Sequence, residues 1–292
     1  MKKITGTSPK SVGEGNESMK IKSFLKEIID RYSDHDVAQT AGQIAYFGFL
    51  SLFPFIVFIN FLLQRVHLSA IDIMGFLSPI LPKEIVNFIV SYMEYISPQN
   101  SAGVLSIGIV VTIYLASRVI RSMEQAVAKA YGIKKSRSFF GSVAVSAIAI
   151  ICIGLMLIAA VLFIVLSRRP VLFILNVLGL ENMVGAVLVL KWAFVIFIML
   201  MVFSVVYKLI PYKKVTFSSV VPGTLFSLAG FMVMSAGFGW YVTFAATSSS
   251  IYGYIGTVFI ALLWLYFVGV IFVLGAEING YFDSLKEKNI LN

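Results

Sequence analysis

Cysteine, histidine and charge are all scarce in this chain, and each scarcity closes off a class of chemistry. Cys152 is the only cysteine among 292 residues and sits in an apolar run. An internal disulfide, a CxxC pair and a thiolate metal site are therefore excluded. Histidine is limited to His35 and His67, and the chain has no HExxH, no GxSxG and no glycine-rich phosphate loop. Hydrolytic catalysis needs a nucleophile, base or metal ligands within reach of one another. The residues supply no such set, so the expectation is a protein that is not an enzyme and uses no metal or cofactor. Charged residues make up only 13% of the chain, against 59% hydrophobic. A soluble domain carries about 25% charged residues, so this chain cannot present a solvated surface all round.

What fills the chain instead is six long apolar stretches, at 37–64, 102–120, 139–166, 183–210, 217–246 and 254–281. A helix of about 20 apolar residues crosses the roughly 30 Å hydrocarbon core of a bilayer. The expected fold is all-α: a polytopic bundle of six transmembrane helices, with amphipathic or re-entrant half-helices on the outer side. The net charge of +9 is an orientation signal. With Arg118 and Lys208 counted in the gaps they adjoin, 18 of the 23 Lys and Arg fall in the two tails and the second and fourth gaps. Only 4 fall in the other gaps, and Lys191 lies inside the fourth stretch. The positive-inside rule then places both termini in the cytoplasm of a cell whose plasma membrane the protein crosses many times. Anionic lipid headgroups at the cytoplasmic face are the expected partners, and nucleic acid is not. Homo-oligomers remain open.

Along the chain, residues 1–18 read as a disordered cytoplasmic tail, 19–36 as an amphipathic interfacial helix, 37–281 as the membrane domain and 282–292 as a short cytoplasmic tail. Pro54 should kink the first span. Ala38, Ala41, Gly42, Ala45 and Gly48 should let a neighbouring helix approach it. Gln39 with Gln43, and Asn60 with Gln64, are amide pairs one helical turn apart, read as links between helices ahead of substrate contacts. Residues 82–98 should form an outer amphipathic helix with Ile85, Phe88, Ile89, Tyr92 and Ile96 on one face. The run 171–180 is too short to span and reads as a half-helix. Gly223, Gly230 and Gly237 recur every seven residues with Ser227 on the same side, and should form a packing groove.

Charges at membrane depth are costly, so they are the candidates for function. They are Arg118, Arg121 and Glu124 at the inner end of the second span, Lys191 in the fourth, and Glu277 in the segment Gly-Ala-Glu-Ile-Asn that ends at Asn279. The expected topology brings the ends of spans two and six to one side, so Glu277 should pair with Arg118 or Arg121.

Four stretches together resemble the YihY/BrkB family of bacterial inner-membrane proteins, historically labelled ribonuclease BN. They are AGQIAYFGFLSLFPFIVF from Ala41, SRVIRSMEQAVAKAYGIKKSRSFF from Ser117, YKLIPYKKVTFSSVVPGTLFSLAGF from Tyr207 and IYGYIGTVFIALLWLYFVGVIFVLGAEING from Ile251. The last is the most specific. By this resemblance Glu277 and Asn279 fall in the family's terminal motif, Ser51 and Pro54 in its first-span motif, and Arg121 and Tyr131 in the loop after span two. The chain departs at Ala128, where members often carry Asn. The resemblance implies six spans in a bacterial plasma membrane. It implies no single activity, since members have been called ribonucleases, virulence factors and lipid exporters. The expectation carried forward is a transporter or flippase-like protein for an amphipathic, anionic lipid or envelope substrate. The alternative is a non-transporting membrane scaffold that binds anionic lipid or a protein partner.

Overall fold

The computed structural model describes residues 11–65, 74, 77–78, 81–96, 102–133, 140–141, 144–145, 147–148, 184–211, 215–246 and 253–291. Among these residues the protein is all helical, with seven helices and no strand. They are α1 (Ser11–Asp34), α2 (Val37–Arg65), α3 (Lys83–Ile96), α4 (Ala102–Ala130), α5 (Val184–Leu209), α6 (Phe217–Ala246) and α7 (Gly253–Leu291). Four are long and apolar enough to cross a membrane, over Val37–Val57 in α2, Trp192–Leu209 in α5, Phe217–Tyr241 in α6 and Val258–Lys286 in α7. The helix α4 stands where the second span was expected, but Arg118, Arg121, Glu124 and Lys129 make its second half polar. The expected third span, the half-helix 171–180 and His67 lie wholly or mostly outside the described residues.

Two boundaries differ from the sequence reading. Helix α1 begins at Ser11, inside the stretch read as a tail. Helix α7 runs on without a break to Leu291, so 282–291 is helical and not a loose end. Helix α4 stops before Gly132, which takes φ 63°, a conformation that costs a residue without Cβ little.

α7 is the central helix, in contact with α2, α4 and α6, while α2 and α4 pack along each other and α5 lies on α6. Lipid tails are as apolar as leucine, so such helices associate through close packing and interhelical hydrogen bonds. The seam between α6 and α7 shows both. A Cβ added at Gly223 would run into the Gly275 carbonyl oxygen and the Asn279 amide, and one at Gly275 would meet Ser227 and Tyr207. Gly230 is less crowded, with Ile271 Cγ2 at 3.3 Å from a would-be Cβ, and Gly237 has open space around it. Would-be Cβ atoms at the first two members of the expected glycine groove thus meet α7, whereas the one at Gly237 does not. Tyr207 of α5 completes the layer. Its hydroxyl donates to the Phe272 carbonyl at 2.7 Å and lies 2.7 Å from Ser227 Oγ. Its ring stacks on Phe272 at 4.9 Å.

The amphipathic helix α3 turns Ile85, Val86 and Met93 inward. Phe53 of α2 meets Phe88 and Tyr92 edge-on, and Asn60 donates to the Met93 carbonyl at 3.3 Å. That amide is a link between helices, as its spacing suggested. Nearer the start of α2, Ala41 lies against Gly269 of α7, where a Cβ would sit 3.0 Å from the Ala41 carbonyl oxygen.

Candidate functional site

Of the charged residues singled out from sequence, Arg118 and Arg121 belong to one cluster and Glu277 to another. On α4, Arg118, Arg121, Ser122 and Gln125 follow the i, i+3, i+4, i+7 spacing that puts side chains on one helical face. On α2, Gln39, Gly42, Gln43 and Tyr46 repeat the same spacing. The two stripes face each other across a groove of about 810 Å³, with Phe47 completing its lining. Gly42 leaves the groove wide, since nothing lies within 4 Å of where its Cβ would be. Ser122 Oγ lies 3.3 Å from Gln43 Oε1 and 3.1 Å from the Arg118 carbonyl oxygen, two acceptors that share its one proton. The Arg118 guanidinium lies 5.2 Å from the Phe47 ring centroid, a cation–π contact that fixes it toward the groove. Two guanidinium groups, three carboxamides and two hydroxyls therefore line an open space, with no carboxylate among the lining residues. Guanidinium forks match phosphate and carboxylate oxygens bidentately, so the groove is built for an anion.

The second cluster has a buried carboxylate at its centre, while its partners Arg31 and His35 line an open pocket of about 350 Å³. Glu277 is fully buried, and its Oε1 lies 2.7 Å from His35 Nδ1. Its Oε2 accepts from Arg31 Nη1 at 3.5 Å, and the same nitrogen donates to the Ala130 carbonyl at 3.3 Å. The pairing of Glu277 with Arg118 or Arg121 expected from sequence is thereby corrected. The partners come from α1 and its end, which fold back onto α7 beside the start of α2. Phe24 of α1 packs against Tyr281 at 5.1 Å, and Arg31 sits 5.9 Å from the Tyr281 ring centroid. The junction between α1 and α2 turns at Asp36, whose φ of 54° is tolerated by a short polar side chain. Lys129 of α4 holds that turn, donating to the His35 carbonyl at 3.2 Å and to Asp36 Oδ2 at 2.8 Å. The Lys129 hydrogen bond and charge hold the Asp36 carboxyl below its usual range.

Of the other candidates, Asn279 is fully buried and accepts from the Gly223 N–H at 2.7 Å through Oδ1, so it serves the α6–α7 seam. Glu124 is half-buried on α4 and outside the groove lining. The side chain of Lys191 lies outside the described residues. Sequence reasoning missed Arg31, His35, Ser122 and Gln125. The last two were legible as the remainder of the arginine stripe. No spacing signal links His35 to a residue 242 positions away. Among the described residues no group of three His, Cys, Asp or Glu side chains is placed to hold a metal.

A family model described as virulence factor BrkB matches residues 28–289. The chain belongs to the BrkB family. Its relatives include the ribonuclease-like protein YfkH of Bacillus subtilis strain 168, 29% identical over 266 residues that cover 91% of this chain and 97% of that protein. A UPF0761 membrane protein of Nitrosospira multiformis is 24% identical over 96% of this chain, which spans 65% of that longer protein. Another, from Pseudoalteromonas translucida, is 25% identical over 88% of this chain and 87% of its own length. No solved structure matches. Both clusters lie within the matched family region.

Proposed function

We propose that this BrkB-family membrane protein is a transporter of flippase type, carrying an amphipathic anionic envelope substrate whose headgroup is held in the α2–α4 groove. The observation that carries this reading is the convergence of Arg118, Arg121, Gln39, Gln43 and Gln125 on one open, carboxylate-free space. Such a set recognises phosphate or carboxylate oxygens through charge-assisted hydrogen bonds. Its position beside apolar spanning helices suits a ligand with hydrocarbon attached. The Lys/Arg distribution supports a cytoplasmic groove, with both termini inside a plasma membrane. Reporter fusions after Ser101, Arg169 and Thr247 should then read as outside.

The test is reconstitution of the full chain into vesicles with a fluorescent anionic phospholipid, followed by quenching of the outer leaflet. Protein-dependent scrambling or directed movement is expected, falling at least about tenfold in Arg118→Gln/Arg121→Gln. Vesicles that bind the lipid in an arginine-dependent way without moving it would overturn transport and leave a lipid-binding scaffold. The name of YfkH suggests ribonuclease chemistry as a competing activity; RNA turnover by the purified chain that is lost in a groove variant would replace the transport reading.

A further inference from the structure

At the far end of the bundle, about 20 Å along α5 from the Tyr207 layer, a second cavity of about 510 Å³ lies between α3, α5 and α6. The size falls within the roughly 300–1,000 Å³ of small-molecule sites. Its walls are apolar: Trp192, Val195 and Met199 from α5, and Phe231, Met232 and Trp240 from α6. Ala236 and Gly239 also line it, and a Cβ at Gly239 would meet nothing within 4 Å, so small residues keep the space open. Trp192 and Trp240 are both well exposed, and exposed indoles sit best at the level of lipid headgroups.

The cavity lining also has polar members, Lys83 and Glu84 in the first turn of α3 and Ser235 of α6. Glu84 Oε2 and Ser235 Oγ are buried there, and neither has a hydrogen-bond partner. A buried carboxylate oxygen needs a donor, and a ligand that supplies one recovers what its desolvation cost. Lys83 beside it is exposed and offers a cation to an anion one headgroup away. The required ligand has hydrocarbon for the walls, an N–H-bearing cation for Glu84 and Ser235, and an anionic group for Lys83. We infer that this cavity binds one zwitterionic phospholipid through a primary ammonium headgroup, independently of the arginine groove. An anionic lipid without an ammonium would place like charge at Glu84, and a bare hydrocarbon would leave both orphaned oxygens unpaired.

Full-length protein, delipidated in detergent, is incubated with phosphatidylethanolamine, phosphatidylcholine or phosphatidylglycerol and examined by native mass spectrometry. The protein should retain one phosphatidylethanolamine. Phosphatidylcholine, whose trimethylated nitrogen has no N–H, should be retained about fivefold less. Glu84→Gln should lower phosphatidylethanolamine retention about tenfold and Ser235→Ala about threefold. Val233→Ala, on an exposed part of α6 outside the cavity lining, should match the unaltered protein. Equal retention of the ethanolamine and choline lipids would overturn the proposal. So would full retention in Glu84→Gln, or a protein dimer that excludes lipid from this face. Should Glu84→Gln fail to fold, Ser235→Ala and the ratio of the two lipids decide.

Discussion

The Glu277 cluster and the Arg118 groove lie at the same end of the bundle, and both are built from charged residues that membrane helices rarely carry. They differ in exposure and in charge balance. Glu277 is closed off from solvent, and an imidazole and a guanidinium from a folded-back α1 take up its two oxygens. Arg118 and Arg121 face an open groove whose other lining groups are neutral. A sealed carboxylate whose oxygens are both engaged has nothing left to offer a ligand, so its role is to dock α1 and the start of α2 on α7. An open groove lined by two guanidinium groups and no carboxylate suits an anion. Burial with matched partners marks structure, and exposure with excess charge of one sign marks binding.

The largest effect should come from the buried carboxylate. Glu277→Ala leaves Arg31 and His35 facing a void and should destabilise the protein by about 3–5 kcal/mol, measured by denaturant titration in micelles. His35→Ala added to it should cost much less than His35→Ala alone costs, because the two groups act as one unit. Strict additivity would show that the cluster is not a latch.

Next comes the seam beside it. Gly223→Leu forces a side chain against the Gly275 carbonyl and should cost about 1–3 kcal/mol or more. Gly237→Leu, with open space at the same face, should stay within about 0.5 kcal/mol. Equal losses would mean that the close packing extends along the whole helix.

On the open side the signs invert. Arg118→Gln should change folding stability by no more than about 0.5 kcal/mol, while vesicle flotation should show affinity for anionic lipid falling about tenfold. A loss of stability without a change in lipid affinity would move Arg118 into the structural class.

The smallest effect concerns the exposed Asp36–Lys129 contact. The folded state depresses the Asp36 pKa, so its contribution is fully present above the ordinary value of 3.8 and is lost as pH falls through the lower folded-state value. Thermal midpoints followed across this acid window should drop slightly more for the unaltered protein than for Lys129→Gln. Identical curves would remove the contact from the account of the α1–α2 turn.

Much of this organisation was legible in the chain. Apolar length placed α2, α5, α6 and α7, because crossing hydrocarbon demands a run that no other element needs. Helical spacing gave the inward face of α3, the pairing of Arg118 with Arg121 on one face of α4 and that of Gln39 with Gln43 on α2, since side-chain direction on a helix follows from position alone. The partners of Glu277 were not legible. Its depth and its need for partners could be read, and the arginines of α4 share that depth. Which cation arrives depends on how α1 folds back, through Phe24 on Tyr281 and the left-handed turn at Asp36 held by Lys129. Nor could the heptad of glycines reveal that Gly223 is clamped and Gly237 has open space, because what lies beside each depends on the neighbouring helix. The sequence by itself determined which segments can lie in a membrane and which faces they present, through hydrophobic length and helical period. Tertiary structure alone decided which charges meet, because contacts between distant segments depend on the packing of the whole bundle.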